Sequence, residues 1–428
     1  MVDRRHALVR LADEVDWARF EEAFGATYDD KVGRPGVPTR LMVALHYLKY
    51  AFDVSDEQVL AGWLENPYWQ YLSGMKFFRH RLPIDASSMT RWRKRIGEAG
   101  AEELLQETIQ AGLRLKLVKA SQLERVNVDT TVQEKHVRFP TDARLYQRAR
   151  ERLVKQAGAE GIDLRQSYVR VGKRLLFQQS RYAHAKQFKR ARRETRKLRT
   201  LLGRVLRDIE RKAPQPSEEL AALLKLGWRL YRQQRTDKNK LYSIHAPEVE
   251  CIAKGKARKR YEFGCKVSVA VTSKGGWLLA ARACPGNPYD GHTLKGTLRQ
   301  VEGVAGRAPE HVFVDMGYRG HDYDGQVEVH VDRRRRGRIN KSVWRWMKRR
   351  AAIEPTIGHL KSGKRLDRNR LKGTLGDKLN VVLSASGMNF AKLLTGLRSI
   401  EALLSPILAW LLEALQPPVS APTRLTPA

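Results

Sequence analysis

The chain has few cysteines, no long apolar run and a shortage of acidic residues. Its 428 residues include only three cysteines, Cys251, Cys265 and Cys284, without CxxC spacing. A disulfide framework or a structural zinc site is therefore not expected, and a reducing cytoplasm is the natural setting. The first residues lack the apolar stretch of a signal peptide, and the most apolar run, 403–415, is too short to span a bilayer. We predict a soluble cytoplasmic protein with no membrane partner.

The shortage of acids leaves a large positive charge. Lys and Arg number 81 against 46 Asp and Glu, which gives a formal net charge of +35. The excess is concentrated in the runs 186–212 and 333–338. Such runs suit a polyphosphate chain, because each neutralised phosphate releases counterions. We therefore predict a nucleic-acid partner rather than an anionic membrane. The hydrophobic content of 42% suffices for two or three domains with buried cores.

Residues 1–110 are predicted to form a helical N-terminal DNA-binding domain. Helices are expected to begin near Thr39, Ser55 and Ala86, and the last of them is dense in Lys and Arg. This order resembles a helix-turn-helix reader, and the alternative is an ordinary helical domain with a basic surface. The predicted DNA contacts are Arg91, Arg93, Lys94 and Arg95. The aromatic residues of this region are expected in its core: Trp63, Tyr68, Trp69, Tyr71, Phe77 and Phe78.

From about residue 120 the pattern changes from helices to strands. The predicted strands are 126–129, 261–271, 277–280, 311–315 and 326–332. A mostly helical, basic insertion at about 141–240 separates the first strand from the second. Within the insertion, an apolar stripe at 198–209 lies opposite a basic face, which either contacts DNA or is merely solvated. We predict an α/β catalytic domain at 120–395, then a C-terminal helix and a disordered tail in 396–428.

Two aspartates are notable for their places at the ends of predicted strands. Asp129 ends the first strand, and Asp315 ends the fourth. Either residue alone would suit a turn. Neighbouring parallel strands, however, would place both carboxylates at one edge of the sheet, where α/β proteins bind their ligands. Converging carboxylates are what a two-metal phosphoryl-transfer site needs, so a nucleic-acid strand-transfer enzyme is expected.

A third acid, Glu354, lies in a basic segment that is predicted to be helical. Arg350 and Lys361 fall within about 40° of Glu354 on a helical wheel. This alignment requires the helix to continue through Pro355, which disfavours helical geometry at the residue before it. The predicted stripe thus combines a metal-binding acid with two cations for phosphate.

The spacing of these residues resembles a family signature. Arg350, Glu354 and Lys361 match the last three positions of Tyr-x2-Arg-x3-Glu-x6-Lys, which marks the third acid in insertion-sequence DDE transposases of the insertion-sequence-5 type. Met347 stands at the tyrosine position, and Trp346 is a possible substitute. The N-terminal block at 33–97 resembles the helical N-terminal domain of that group. Further similar stretches are 128–131, 139–142, 287–292, 368–373, 376–380 and 387–390.

The resemblance implies an RNase H-like catalytic core, a five-stranded mixed sheet with helices, that holds two Mg²⁺ ions, for which Mn²⁺ would substitute. Asp129 would contact both ions, Asp315 one and Glu354 the other. Water would cleave the phosphodiester at the end of the element, and the freed 3′-hydroxyl would attack target DNA in line. Arg350 and Lys361 would bind the terminal phosphates.

The implied setting is a bacterial mobile element. The partner would be double-stranded DNA, both element ends and target, bound by a homodimer or higher oligomer because two ends must be brought together. No small-molecule substrate is implied, and the protein would be associated with the nucleoid.

Some assignments and functions stay open at this point. Asp290 and His292 are either metal or supporting groups or simply part of a turn, and Asp332 is a weaker substitute acid. His359 fits a helix-packing histidine at least as well as a site residue. The rival functions are a catalytically inactive DNA-binding protein derived from a transposase, a structure-selective nuclease and an RNA-packaging protein. The retained acids argue against the inactive DNA-binding protein. The N-terminal helices argue against the nuclease, and the predicted sheet argues against the RNA-packaging protein.

Overall fold

The chain forms a helical N-terminal region, a sheet that a helical segment interrupts in sequence, and a long C-terminal helix. The structure is a computed structural model that describes residues 2–25, 36–253, 259–332 and 340–414, with side chains as far as residue 399. The helices are α1 (Ala7–Glu14), α2 (Trp17–Gly25), α3 (Thr39–Ala51), α4 (Asp56–Glu65), α5 (Pro67–Leu72), α6 (Ala86–Arg114), α7 (Asp142–Ala159), α8 (Val169–His184), α9 (Phe188–Lys212), α10 (Glu218–Arg232), α11 (Asp290–Ala305), α12 (Lys341–Arg349), α13 (Ile353–Gly363) and α14 (Gly373–Ala414). The strands are β1 (Arg125–Glu134), β2 (Glu250–Ala253), β3 (Tyr261–Thr272), β4 (Leu278–Cys284), β5 (His311–Val314) and β6 (Glu328–Val331).

The N-terminal helices begin where the sequence supplies caps. The Ser55 hydroxyl accepts from the Gln58 amide and Gln58 returns the bond, so a capping box starts α4. The Asp85 carboxylate caps α6 by accepting from the Ser87 amide, and α6 kinks at Gly97, where φ is +63°. Apolar residues of these helices share one hydrophobic cluster with the sheet and with α14. The region predicted at 1–110 therefore packs directly on the rest of the protein.

The sheet is mixed, and β3 and β1 form its centre. Its main order is β2-β3-β1-β5-β6, with β4 also paired to β3. β1 runs antiparallel to β3 and parallel to β5, and β5 runs parallel to β6. Each of the five predicted strands overlaps a strand of the structure. β2, of four residues, is additional to the predicted set.

The extent of β1 corrects one expectation. The strand continues to Glu134, so Asp129 lies within it rather than at its end. Residues beyond Asp129 remain paired with β3, as far as Glu134 opposite Gly264. The side chains of β1 alternate between two covered faces. Thr130 and Ser268 lie on the face covered by α11, and Gln133 lies on the face covered by α14.

The segment between β1 and β2 consists of α7 to α10, and these helices have a hydrophobic cluster of their own. Thr141 caps α7 and Ser217 caps α10. The predicted apolar stripe of α9 is buried in this cluster: Leu198, Leu201, Leu202, Val205, Leu206 and Ile209. The opposite side of α9 is exposed and basic. The cluster explains how a charged segment can fold beside the sheet.

The C-terminal region is a single long helix. α14 runs from Gly373 to Ala414, so the helix predicted in 396–428 begins far earlier than expected. The predicted disordered tail and the whole basic run at 333–338 lie outside the described residues. In the described part of the chain, no helix combines the length and apolar character needed to cross a membrane.

Candidate active site

The register of three parallel strands brings acidic residues to one edge of the sheet. Asn127 of β1 pairs with Phe313 of β5, so two residues further along Asp129 lies beside Asp315. On the other side of β5, Val314 pairs with Val331, and the Asp332 amide donates to the Val314 carbonyl at 3.0 Å. Neighbouring strands lie about 4.8 Å apart. The strand geometry therefore sets Asp129, Asp315 and Asp332 side by side.

Asp315 occupies the turn that follows β5. Its carboxylate accepts from the Gly317 amide at 2.9 Å and caps a 3-10 turn at Met316–Tyr318. A Cβ at Gly317 would lie 3.0 Å from one Asp315 oxygen and 3.1 Å from an Asp290 oxygen. The carboxylates of Asp315 and Asp290 thus converge on a position where only glycine avoids a tight contact. Asp315 is half-buried, and within the described ranges it forms no salt bridge.

Asp290 begins α11 and, unlike Asp315, has a cationic partner. Its carboxylate accepts from the Lys266 ammonium at 2.9 Å and from the Thr130 hydroxyl at 3.0 Å. A carboxylate at the N-terminal end of a helix is also stabilised by the helix dipole. Asp290 follows a turn and its carboxylate lies near that of Asp315, so its role as a metal or supporting group stays a prediction. His292 is exposed, and its ring contacts Tyr289.

Tyr318 is a buried tyrosine whose pKa depends on the carboxylates of the acidic edge. The side chain is fully buried. Burial raises the pKa of Tyr318 well above its usual value, and the charges of Asp129 and Asp290 raise it further. Both carboxylates therefore act on one buried hydroxyl, although they lie on different elements.

The end of α12, which leads into the helix of Glu354, is bonded to β1 two residues before Asp129. The Asn127 amide donates to the Arg349 carbonyl at 3.2 Å, and the Ser273 hydroxyl donates to the Asn127 amide oxygen at 2.7 Å. Residues two apart in a strand point to the same face, so Asp129 faces the same side as Asn127. The end of α12 therefore lies on the face that carries Asp129, and α13 begins four residues later and also contacts β1. Asn127 was missed by sequence reasoning, and a buried asparagine inside a strand was its available signal.

Glu354 lies in the first turn of α13, on the exposed side. Ile353, Thr356 and Leu360 are buried and hold the helix against the body. In the part of the chain that the structure describes, Glu354 forms no salt bridge. Pro355 is accommodated because the amide it lacks would have no partner within the first helical turn. α13 continues through Pro355, as the predicted stripe required. A 3-10 turn at Arg350–Ala352 precedes it, so Arg350 lies outside the regular helix.

Arg350 and Lys361 are placed differently relative to the acids. One Arg350 amino group lies 4.0 Å from Asp332, and its Nε is buried without a hydrogen-bond partner among the described residues. The Lys361 ammonium lies 3.5 Å from the buried Glu262 carboxylate. Seven residues of helix separate Lys361 from Glu354, which is about 10 Å along the axis. Arg350 is thus next to the acidic edge, and Lys361 lies farther along α13.

The four predicted cations of α6 fall into two groups. Arg93 is only 2% exposed and forms a bidentate ion pair with Asp56 at 2.9 and 2.6 Å. Its prediction as a DNA contact is therefore wrong, because its guanidinium is buried and already paired. Arg91, Lys94 and Arg95 are exposed on the other side of the helix.

The aromatic residues near α6 also depart from expectation. Trp63 is fully buried as predicted, but Phe77 is 79% exposed and Phe78 is 45% exposed. The core prediction is wrong for these two phenylalanines, which lie in the loop between α5 and α6. Trp346, the possible substitute for the signature tyrosine, packs among Arg125, Lys274 and Arg349.

The donor set at the acidic edge suits a divalent cation. Asp129, Asp315 and Glu354 offer carboxylate oxygens, the ligands that Mg²⁺ and Mn²⁺ prefer. Within the described residues these three do not form a group whose ligand atoms all lie within 4.8 Å of one another. Asp332 and Asp290 add negative charge at the same edge, although Lys266 compensates Asp290. Because Asp315 and Glu354 have no cationic partner in the described residues, their charges are available to a metal.

Comparison with known proteins settles the family. A model described as a transposase domain (DUF772) matches residues 1–95, and one described as a transposase DDE domain matches residues 228–390. An uncharacterised protein, ORF8 in the nfe locus of Rhizobium meliloti, is 56% identical over 188 residues, which cover 44% of this chain and 90% of that protein. The chain belongs to the insertion-sequence DDE transposases. No solved structure matches this transposase significantly.

Membership gives this transposase an RNase H-like core within its mixed sheet and helices. The DDE match contains Asp315 and Glu354 but begins within α10, after β1. Asp129 lies outside both matched segments because α7 to α10 separate it from the rest of the sheet in sequence. In space, β1 pairs directly with β3 and β5, so the inserted helices interrupt the sequence without interrupting the sheet.

Proposed function

We propose that this transposase binds the terminal inverted repeats of an insertion sequence, cleaves the phosphodiester bonds at its ends and joins them to target DNA. Cleavage adds water across one phosphodiester and leaves a 3′-hydroxyl on the element. Joining forms a new phosphodiester to target DNA and releases a target 3′-hydroxyl. The observation that carries the proposal is the register that sets Asp129 beside Asp315. The end of α12, which leads into the helix of Glu354, is bonded over the same face.

The proposed catalytic acids are Asp129, Asp315 and Glu354, as ligands of two Mg²⁺ ions or of Mn²⁺ in their place. When bound, such ions activate an attacking oxygen and stabilise the leaving one. The chain's own contribution is rigid placement: Asp129 lies within a paired strand, and Asp315 is held by the Gly317 amide. Arg350 would bind a terminal phosphate through its buried Nε, since no group in the described residues occupies it. Lys361 would contact phosphate farther along α13.

Two exposed basic surfaces are proposed to hold the rest of the DNA. One is on α6, at Arg91, Lys94 and Arg95. The other is the basic face of α9, opposite its buried leucines. Phosphate contacts of this kind fix the position of DNA without reading its sequence. A homodimer or higher oligomer on double-stranded DNA is proposed because two element ends must meet before joining.

The test is metal-dependent cleavage of labelled DNA that carries the flanking element ends. We expect Mg²⁺ or Mn²⁺ to support nicking at the element boundary. Asp315→Asn and Glu354→Gln should reduce it by roughly 100-fold or more, because each removes a charge at the reacting centre. Asp163→Asn is the matched control, since Asp163 is an exposed acid of the helical segment.

The possible outcomes separate the proposal from its alternative. Specific binding of element ends without cleavage by any of the proteins would favour the alternative, a catalytically inactive DNA-binding protein derived from a transposase. Cleavage that survives Asp315→Asn would show that the reaction uses a different set of acids.

A further inference from the structure

A cluster of two histidines and one glutamate joins β5 to β6 away from the acidic edge. His311 pairs with Glu328 across the two strands, and Phe313 pairs with His330. The Nδ1 of His311 lies 3.2 Å from the Nε2 of His330 and 3.0 Å from a Glu328 oxygen. The other Glu328 oxygen lies 3.6 Å from the Nε2 of His330. Three potential ligand atoms thus converge from rigidly paired strands.

The distances within this cluster match those between ligands of one ion. Nitrogen and oxygen ligands lie about 2.0–2.1 Å from a tetrahedral Zn²⁺, which places them about 3.3 Å from one another. The spacings of 3.0, 3.2 and 3.6 Å fall around that value. All three ligand atoms lie within 4.8 Å of one another. No rotation of the strands is therefore needed to bring these side chains around one ion.

The surroundings hold the rings while leaving one side open. The His330 ring stacks on Phe313 with centroids 4.9 Å apart, and its side chain is 10% exposed. His311 is 29% exposed and Glu328 is 62% exposed. A buried ring fixed by stacking has a defined orientation, and the exposed carboxylate leaves space for water or an external group as a further ligand.

The cluster is separate from the acidic edge in position and in chemistry. His311 precedes Asp315 by four residues of extended chain, which is about 13 Å. Imidazole nitrogen suits zinc and related transition ions, whereas all-carboxylate sets suit Mg²⁺ and Mn²⁺. The low cysteine count does not bear on this cluster, because it contains no thiolate ligand.

We propose that His311, Glu328 and His330 bind one divalent transition-metal ion, of which Zn²⁺ is the representative. The ion ties β5 to β6 below the positions of Asp315 and Asp332. This inference does not depend on the proposed strand-transfer function. The competing interpretation is a pair of hydrogen-bonded histidines beside a carboxylate, with no affinity for metal.

The test is Zn²⁺ binding by the full-length protein, stripped of metal with a chelator and dialysed in excess Mg²⁺ to occupy carboxylate sites. We expect one tightly held Zn²⁺ per chain in the unaltered protein, in Asp315→Asn and in His184→Gln, an exposed histidine elsewhere. His311→Gln and His330→Gln should lose this Zn²⁺. Their Zn²⁺ affinity should fall by more than the roughly 10–100-fold that follows loss of a residue that only hydrogen-bonds to a metal ligand.

Co²⁺ absorption keeps the test decisive if a histidine variant does not fold. In the unaltered protein, Co²⁺ held by two imidazoles should give d–d bands far stronger than those of Co²⁺ on carboxylates and water alone. Absence of Zn²⁺ retention and of these bands would overturn the proposal. Equal Zn²⁺ affinity in His330→Gln would do the same.

Discussion

At the scale of single residues, the most informative group surrounds Arg93. The Arg93 guanidinium and the Lys49 ammonium both bind Asp56, and the Nε2 of His46 lies 3.3 Å from Arg93. The Nδ1 of His46 lies 2.7 Å from the Met42 carbonyl, so it must carry the proton and Nε2 must accept from Arg93. A second proton on His46 would face the guanidinium. The cluster therefore fixes a neutral histidine in the core.

This geometry predicts an acid-sensitive fold. Burial, and next the charge of Arg93, lower the pKa of His46 from 6.5 to about 3. Between these pH values the unfolded chain binds a proton that the folded one does not, so the free energy of unfolding falls as pH falls from 6.5 towards 3. We expect His46 to account for about 2 kcal/mol of the difference between pH 7 and pH 5. Urea unfolding of His46→Gln at both pH values should show a difference smaller by that amount.

The exposed His184 supplies the control for this experiment. His184→Gln should keep the pH dependence of the unaltered protein, because His184 is exposed and lies outside the cluster around Arg93. An unchanged pH dependence in His46→Gln would mean that His46 is protonated in the folded protein.

At the scale of elements, the polar motifs of α14 prove to be structural. The Asn380 amide donates to the Gln133 side chain of β1 at 2.9 Å, and Lys135 binds Asp377 at 2.8 Å. Asp377 and Asn380 belong to a stretch that resembles the transposase family, and neither lies at the acidic edge. A Cβ at Gly387 would lie 2.3 Å from the Cβ of Tyr50, so only glycine permits this approach of α14 to α3. The motifs dock α14 against β1 and α3.

Asn389 provides a test of this docking role. Its amide donates to the Leu278 carbonyl at 2.9 Å, and its oxygen accepts from the Leu278 amide at 3.0 Å. Asn389→Leu would leave both backbone groups of β4 buried and unpaired. We expect a loss of about 2–4 kcal/mol in the free energy of unfolding, measured with urea. DNA affinity of the folded fraction should be unchanged, since Asn389 touches none of the proposed DNA contacts.

The exposed Asn239 is a matched control, and Asn239→Leu should change stability by less than about 0.5 kcal/mol. A similarly small effect at Asn389 would show that water or a local shift satisfies Leu278.

At the scale of the whole molecule, local patterns were predictable and long-range partners were not. The leucines of α9 and the valines of β1 show their burial through periodicity, so the strands and the helical segment were expected. Arg91 and Arg93 both lie on α6, but Arg93 is buried in an ion pair with Asp56, which lies 37 residues away in sequence. Likewise, Asp332 gains its place beside Asp315 from the register of β5 and β6. The predicted start of α14 was too late, because buried polar residues such as Asn380 and Ser384 interrupt its apolar pattern.

The net charge of +35 allows two explanations of DNA affinity. Affinity depends either on the total charge of the protein or on particular basic surfaces. Arg192, Arg196 and Arg207 are exposed on one side of α9, opposite the leucines that the second hydrophobic cluster buries. If all three contact phosphate, replacing them with glutamine should reduce the slope of log affinity against log salt by about 2.7, because each contact contributes about 0.9. Binding to element-end DNA across a salt series measures this slope.

A second triple variant separates the two explanations. Lys295, Arg299 and Arg307 are exposed on or just beyond α11, and their replacement with glutamine removes the same formal charge. If α9 forms a specific surface, only the α9 variant should lose a large part of the slope, because contacts beyond a Debye length of about 10 Å are screened. Equal losses would mean that charge acts without regard to position. No loss in the α9 variant would show that its basic face is only solvated, and would leave α6 as the proposed basic surface that holds the DNA.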